Sequence, residues 1–247
     1  MYKKMVKAVG VKGYYLGLCR SLRRLPFPIH VPIFGKISTM AEILNIHDNF
    51  AVGELRDKVV ESVIRNTPQP VIVDCGINVG VTVRWWLHLN PASTIYGLDM
   101  IQEAHDFTYQ ALRDGGCPDG KASYQGITAA ISSGDGETIL INFNNPLDGT
   151  NSVSAAQTGS QSRKVPLARI DTLLAPQGLT HVDLIKMDIE GHAARALAGA
   201  AKTLAITKNV ILEVHSEDEL GEAVTILVNS GFRLRCFRHR NLWFVKK

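Results

Sequence analysis

The sequence predicts an α/β fold: a mostly parallel, doubly wound sheet with helices on both faces and an antiparallel strand at its C-terminal end. Three observations predict it. Val71-Ile-Val-Asp-Cys-Gly-Ile-Asn-Val-Gly80 opens as a continuous β-branched run, as expected of a parallel strand covered on both faces. It passes straight into a glycine turn and a helix from about Val81. Beyond it, apolar strand-like runs alternate with amphipathic helical ones. The chain then closes on two strand-like runs, 232–237 and 242–245, separated only by a short turn around His239-Arg240-Asn241, so the last strand folds back on its neighbour. The 247 residues suffice for one large Rossmann-like domain with a full core. Residues 1–50 read as an N-terminal extension and 51–247 as the domain.

The extension carries the charge. Lys3, Lys4, Lys7, Lys12, Arg20, Arg23, Arg24 and Lys36 all precede the first acid, Glu42, so the net charge of +4 is local and the rest of the chain is acidic. Tyr2, Met5, Val6, Val9, Tyr14, Tyr15, Leu16 and Leu18 are interleaved with these cations, a mixture suited to an anionic membrane surface or an acidic, lipid-linked substrate. A solvated basic helix packed as a lid is the plainer account. No nucleic-acid-binding motif accompanies the charge, so no nucleic-acid partner is expected. No apolar run approaches the roughly 18 residues that cross a bilayer, and lysines and glycines interrupt any secretory signal in 1–17. Cys19, Cys75, Cys117 and Cys236 lie far apart with no C-x-x-C pair, which argues against zinc or a disulfide framework and for a reducing compartment. The expected location is cytoplasmic, peripheral at the inner membrane surface. Pro26, Pro28 and Pro32 then rule out a continuous helix and predict an extended crossing segment.

Leu55, Val59, Val60, Val63 and Ile64 recur at helical spacing, and Asn66-Thr-Pro-Gln-Pro stops that helix before the opening strand. Trp85, Trp86, Leu87 and Leu89 belong to the helix after the glycine turn, which Asn90-Pro91 ends. Residues 94–98 read as the second strand, 103–112 as the second helix and 122–131 as the third strand. Ile139, Leu140, Ile141 and Phe143 mark an added strand over 137–143. The polar stretch 144–162 reads as a long loop of the kind that carries substrate contacts. Residues 182–187 form the next buried strand, followed by a helix on which Ala194, Leu197, Ala198 and Ala201 share a face. After the strand 210–214, Leu220, Ala223, Val224, Leu227 and Val228 form an amphipathic helix that Gly231 ends.

The opening turn specifies a ligand class. A dinucleotide site wants G-x-G-x-x-G, whose glycines let a pyrophosphate sit on a helix N-terminus. Here the pattern is Asp74-x-Gly76-x-Asn78-x-Gly80, and an acid beside the turn would repel a pyrophosphate while suiting an ammonium and a sulfonium. That disfavours a dehydrogenase. S-adenosylmethionine is such a ligand. Asp99, at the end of the second strand, is placed to accept hydrogen bonds from two ribose hydroxyls. Ala129, Ala130 and Ile131 are small or apolar at the turn after the third strand, where an adenine ring would lie, and Ser132 could cap the next segment.

These residues resemble the FkbM-type methyltransferases of the class I S-adenosylmethionine fold, over roughly 70–215. The stretch 73–82, Val-Asp-Cys-Gly-Ile-Asn-Val-Gly-Val-Thr, resembles the family's D-x-G-A-N-x-G-x-[ST] opening, and Leu184-Ile-Lys-Met-Asp-Ile-Glu-Gly191 its I-K-x-D-x-E-G signature. Ile211-Leu-Glu-Val-His215 resembles the next strand of the family, and Ile170-Asp171-Thr-Leu-Leu174 the segment ahead. The chain departs from the pattern at Asp99-Met100, where the family usually has Glu-Pro, and at Ala193, where it commonly has Glu. The resemblance implies a cofactor set of Asp74, Gly76, Asn78, Gly80, Thr82, Asp99 and Met100, with Ala130 against the adenine. It also implies methyl transfer to a hydroxyl of a sugar, glycolipid or natural product.

The later motif supplies the chemistry independently. A hydroxyl attacking a sulfonium methyl must lose its proton, so a base must be near. Asp188 and Glu190 lie at and just past the carboxyl end of one central strand and Glu213 and His215 end the next, which brings four ionisable groups to one rim. His215 is the expected general base, since a neutral imidazole is available near pH 7. In the alternative, Asp188, Glu213 and His215 hold a divalent metal that acidifies the hydroxyl. Lys186, inside the strand, reads as a buried partner for one of the acids. A second account of the whole chain, resting on Ala193, is a catalytically silent scaffold that keeps the fold.

Overall fold

The computed structural model describes residues 2–115, 124–147 and 159–247. The extension folds as a helical hairpin, α1 (Tyr2–Val9) and α2 (Gly13–Leu22), so close that a Cβ on Gly13 would fall 2.4 Å from the Met5 carbonyl carbon. A short antiparallel hairpin follows, β1 (Ile29–Val31) and β2 (Gly35–Ile37), where the prolines predict an extended crossing. Pro28 leads into the first strand and Pro32 opens the turn. Next, α3 (Met40–Asn45) starts from a capping box in which Thr39 and Glu42 satisfy each other's backbone N–H groups. It runs into a π-helical turn, Ile46–Val52, and α4 (Lys58–Asn66) then begins from an Asp57 cap.

From there the chain runs β3 (Val71–Cys75), α5 (Val81–Leu89), β4 (Thr94–Asp99), α6 (Gln102–Gly115), β5 (Tyr124–Thr128), β6 (Ala130–Ile131), β7 (Thr138–Phe143), β8 (Gln161–Ala168) and α7 (Ile170–Leu174). It continues β9 (Val182–Met187), α8 (Ala193–Ala198), α9 (Ala201–Ala205), β10 (Thr207–Glu213), α10 (Glu217–Asn229), β11 (Phe232–Arg238) and β12 (Asn241–Lys246). Seven strands form the main sheet in the order β11-β12-β10-β9-β3-β4-β5. β12 alone runs opposite to the other six. The predicted doubly wound sheet with a reversed C-terminal strand is therefore the observed one.

Strand alternation sorts the apolar side chains into two cores. Ile72, Leu184, Ile211 and Trp243 join one cluster with Met5, Val9, Leu16, Ile43, Val60 and Trp86, so α1–α5 cover that face. Val73, Ile185, Val210 and Phe244 join the other with Leu174, Leu197, Leu204 and Leu227, from α7–α10. The extension thus shares the first core with the domain. It is also pinned by a buried ion pair: Arg84 Nη2 donates to Glu42 Oε1 at 2.8 Å, with side chains 4% and 0% exposed, and Arg84 Nη1 donates to the Phe34 carbonyl at 2.8 Å.

Three local expectations need correction. The strand expected over 122–131 is two: β5 closes the main sheet, while β6 breaks away after Ala129 into a separate sheet of order β6-β8-β7. Residues 122 and 123 lie outside the described residues. The loop expected over 144–162, of which 148–158 are likewise outside, ends early, because β8 pairs along the whole of β7. Its exposed alternate residues and Pro166 hide it from a hydrophobic pattern. The helix expected after β9 is α8 and α9, separated at Gly199, where a Cβ would lie 2.2 Å from the Ser132 carbonyl oxygen. Ala194 and Leu197 are buried as expected, whereas Ala198 and Ala201 are exposed.

Candidate active site

Strand order reverses around β3, whose neighbours are β4 on one side and β9 on the other, and the carboxyl ends there open into a cavity of about 570 Å³. One side is built largely from backbone. Gly76 follows β3 at φ +78°, and a Cβ on it would fall 1.8 Å from the Asp188 carbonyl oxygen, so the turns after β3 and β9 touch. Asn78, also left-handed at φ 49°, donates its N–H to Asp99 Oδ2 at 3.1 Å, and the Ile101 N–H donates to Oδ1 at 3.0 Å. The Asp99 carboxylate is thereby fixed at the mouth of β4, facing the cavity. Gly76, Asn78, Thr82, Met100 and Ala130 line the same space, and Ala129 and Ile131 add an apolar patch. The buried Asn78 Oδ1 has no hydrogen-bond partner among the described residues, an acceptor left for a ligand. These features fit a nucleoside bearing vicinal hydroxyls.

Two expected cofactor residues do not reach the cavity. Asp74 is fully buried: Trp86 Nε1 donates to its Oδ2 at 3.1 Å, and Lys186 Nζ stands 3.5 Å from Oδ1. Burial pushes this carboxyl up and the Lys186 ammonium opposes that. The acid read as ligand-facing therefore serves as a counterion within the sheet, because both faces of β3 are covered. Gly80 caps α5 at φ +64°, and its missing Cβ makes room for Thr108 of α6, so it serves helix packing. Lys186 is the buried partner the sequence predicts, and it does more than that. It pairs in register with Asp74, donates to the Gly76 carbonyl at 2.8 Å, lies 3.6 Å from Asp188 Oδ2 and lines the cavity itself. The signal for it was positional: each residue is the penultimate one of its strand.

The opposite side is a rim of ionisable side chains. Asp188, Glu190 and Glu213 line the cavity. His215 does not line it and sits behind two of them, Nε2 3.6 Å from Asp188 Oδ1 and Nδ1 3.5 Å from Glu190 Oε2. The four groups expected to converge do so, but only three of them line the cavity. Asp188 beside the imidazole, with Glu190 and Glu213, raises the His215 pKa against the effect of its burial, favouring imidazolium over the neutral base expected. Burial opposes ionisation of Asp188, but Lys186 and His215 outweigh it and hold its carboxyl below the usual range. Burial and the Asp188 charge push Glu213 up to about 7. Glu213 is thus a cavity-lining group that changes charge near neutrality. Asp188, Glu213 and His215 also each offer a ligand atom within 4.8 Å of the others, a geometry able to hold a cation.

Sequence reasoning missed two contributors. Glu219 of α10, 5% exposed, accepts from the His215 N–H and the Ala193 N–H, both at 2.8 Å, and so ties the rim to α8. Its signal was a Ser216-x-x-Glu219 capping pattern, and the Ser216 side chain does accept from the Glu219 N–H. The third wall of the cavity comes from the end of the extension and the residues just after it: Met40, Ala41 and Leu44 of α3, Asp48 and Asn49 of the π-helical turn, and Glu54. A π-helix has no sequence period that would announce it. Asn145, Pro146 and Leu147 line the cavity at the start of the loop expected to carry substrate contacts.

Residues 74–234 match the family described as the methyltransferase FkbM domain. No curated protein sequence matches the chain. Among solved structures, the FkbM methyltransferase of Methylobacillus flagellatus KT is 13% identical with a TM-score of 0.50, over 85% of this chain and 56% of that one. Magnesium protoporphyrin IX methyltransferase of Synechocystis PCC 6803, with bound S-adenosylmethionine, is 16% identical over 99% of this chain and 97% of that one, with a TM-score of 0.44. Aeropyrum pernix fibrillarin, also with S-adenosylmethionine, is 13% identical over 77% and 74%, with a TM-score of 0.43.

Proposed function

Because the chain belongs to the FkbM methyltransferase domain family, a family of S-adenosylmethionine-dependent enzymes, we propose that it transfers a methyl group from that cofactor to a hydroxyl oxygen. The observation that carries this reading is the pairing of the Asp99 seat with an acidic rim across one cavity. S-adenosylmethionine supplies an electrophilic methyl on a sulfonium. In this reading Asp99 accepts hydrogen bonds from the ribose hydroxyls, and Ala129, Ala130 and Ile131 lie against the adenine. Glu213 takes the proton that the acceptor hydroxyl loses as its oxygen attacks. Glu213 is preferred to His215 because it faces the cavity and is poised near 7. His215 is then a positioning residue that bridges Asp188 and Glu190. A rim of carboxylates, Asp48, Glu54, Asp188, Glu190 and Glu213, suits an acceptor rich in hydroxyl donors, which supports a sugar, glycolipid or polyhydroxylated natural product.

Calorimetry with S-adenosylmethionine tests the seat, and a methyl-transfer assay over cell-envelope extracts tests the acceptor class. Saturable binding weakened by Asp99→Ala, with turnover in the extracts, is the expected result. Binding without turnover on any extract would favour a catalytically silent scaffold. A second reading, in which Asp188, Glu213 and His215 hold a divalent cation that acidifies the hydroxyl, is favoured by their mutual approach alone. It requires activity to vanish on chelation and return with added magnesium. The first reading requires activity to persist.

A further inference from the structure

We propose that the α1–α2 hairpin is a docking face for an anionic lipid bilayer, seating the cavity at the membrane surface, where a lipid-linked acceptor would be found. This rests on the hydroxyl-methylating reading for its acceptor, but the docking itself does not depend on it. In α2, Leu16 and Cys19 are buried in the core, and a Cβ on Gly17 would fall 2.7 Å from the Tyr2 ring of α1. On its other side, Tyr14, Leu18 and Leu22 recur at i, i+4 and i+8, and are 55%, 47% and 66% exposed. The helix is thus apolar on two faces, and the second has no partner among the described residues. Val11 in the turn before it and Phe27 shortly after it are exposed as well, at 77% and 73%. Of the twelve large hydrophobic residues exposed among the described residues, these five and Tyr2 fall within the first 27 positions. That clustering separates a surface with a purpose from the scattered exposure normal on a monomer.

Charge selects the occupant. Lys3, Lys4 and Lys7 are exposed on α1, and Arg23 and Arg24 are exposed directly after α2; no acid precedes Glu42, which is itself buried against Arg84. Apolar side chains that can enter the acyl boundary, flanked by cations that meet phosphate headgroups, match an anionic bilayer at once in both respects. No helix among the described residues is long and apolar enough to cross a membrane, so the contact is lateral. The placement also has a use. α1 packs on the π-helical turn and α2 on α3, and both of those elements wall the cavity.

Co-sedimentation of the purified full chain tests this, with vesicles of phosphatidylcholine alone and of phosphatidylcholine containing phosphatidylglycerol. The expected result is binding to the anionic vesicles only, weakened by salt. It should fall at least about tenfold both in Tyr14→Ser/Leu18→Ser/Leu22→Ser and in Arg23→Glu/Arg24→Glu. Cofactor affinity by calorimetry should stay at the wild-type value in both variants, which excludes misfolding. Wild-type protein that stays in the supernatant with both vesicles overturns the proposal, as do variants that sediment like wild type. Light scattering that shows a dimer, broken by the triple variant and with no vesicle binding, overturns it by giving the face to a second copy. Loss of cofactor binding in Asp99→Ala with vesicle binding intact bears on the methyltransferase reading alone.

Discussion

On the β3–β4 side of the cavity the lining groups are a glycine, uncharged side chains and one carboxylate held by two backbone N–H groups. On the β9–β10 side they are carboxylates and an ammonium that set one another's charge. The first side is fixed by close approach, since no atom can be added at Gly76 without moving Asp188. The second is fixed by electrostatics, since Lys186 and His215 keep Asp188 ionised while the Asp188 charge helps keep Glu213 near its midpoint. The seat has one ionisable group, Asp99, which burial pushes up and the backbone N–H groups of Ile101 and Asn78 oppose, whereas a rim made of coupled charges changes its chemistry with every proton. Binding and proton transfer should therefore be separable by mutation, except at the point where the two sides touch.

The largest separation is expected for Glu213→Gln, which keeps shape and removes the basic form. Turnover should fall by roughly 10²–10⁴-fold with cofactor affinity unchanged, measured by steady-state kinetics beside calorimetry. Gly76→Ala should break the comparison instead, because its Cβ drives the two turns apart. Both binding and turnover should be lost, with a destabilisation of about 1–3 kcal/mol in denaturant melts. Asp99→Asn should weaken the cofactor by about ten- to a hundredfold, the worth of hydrogen bonds to a charged acceptor, with turnover at saturating cofactor little changed.

The pH dependence sharpens the contrast. With Glu213 raised to about 7, kcat/KM should climb through pH 7 and level off above it, while cofactor affinity stays flat over the same range. A carboxyl whose folded pKa is raised holds a proton that the unfolded chain has already released. Its contribution to stability is present at low pH and is lost as pH rises through about 7. Glu213→Gln should consequently melt higher than wild type at pH 8, by roughly 2–4 °C for each kcal/mol of repulsion relieved, and show less difference at pH 5.

The two sides also differed in how far they could be read from sequence. The seat is written in consecutive residues: a β-branched run, Gly76, Asn78 and, one strand later, Asp99. The identity of the rim residues was equally legible, because Asp188, Glu190, Glu213 and His215 all fall at the ends of apolar runs. Their placement at the cavity was not. Whether His215 or Glu213 meets the cavity depends on how the turns after β9 and β10 point, and on Glu219, which arrives from α10 to hold the His215 backbone. Asp74 misled for a related reason. In a strand covered on both faces, alternation does not tell a ligand-facing position from a buried one, and the Lys186 that neutralises it lies 112 residues away in sequence. The reversed last strand was visible because a short turn enforces it. β8, built of exposed residues around Pro166, and the break at Gly199, imposed by the Ser132 carbonyl, answer to distant partners.

The buried pair between Arg84 and Glu42 bears on how such a chain can be cut or exchanged. Arg84 sits in the helix directly after the glycine turn, Glu42 in α3 ahead of β3, and each is almost wholly out of water. Splicing a foreign leader onto residue 51 would strand a guanidinium in the core at a cost of about 3–5 kcal/mol, a large fraction of what holds a domain folded. The first fifty residues are therefore heritable only together with the glycine turn they brace, and a donor segment for this scaffold must bring its own carboxylate to that place.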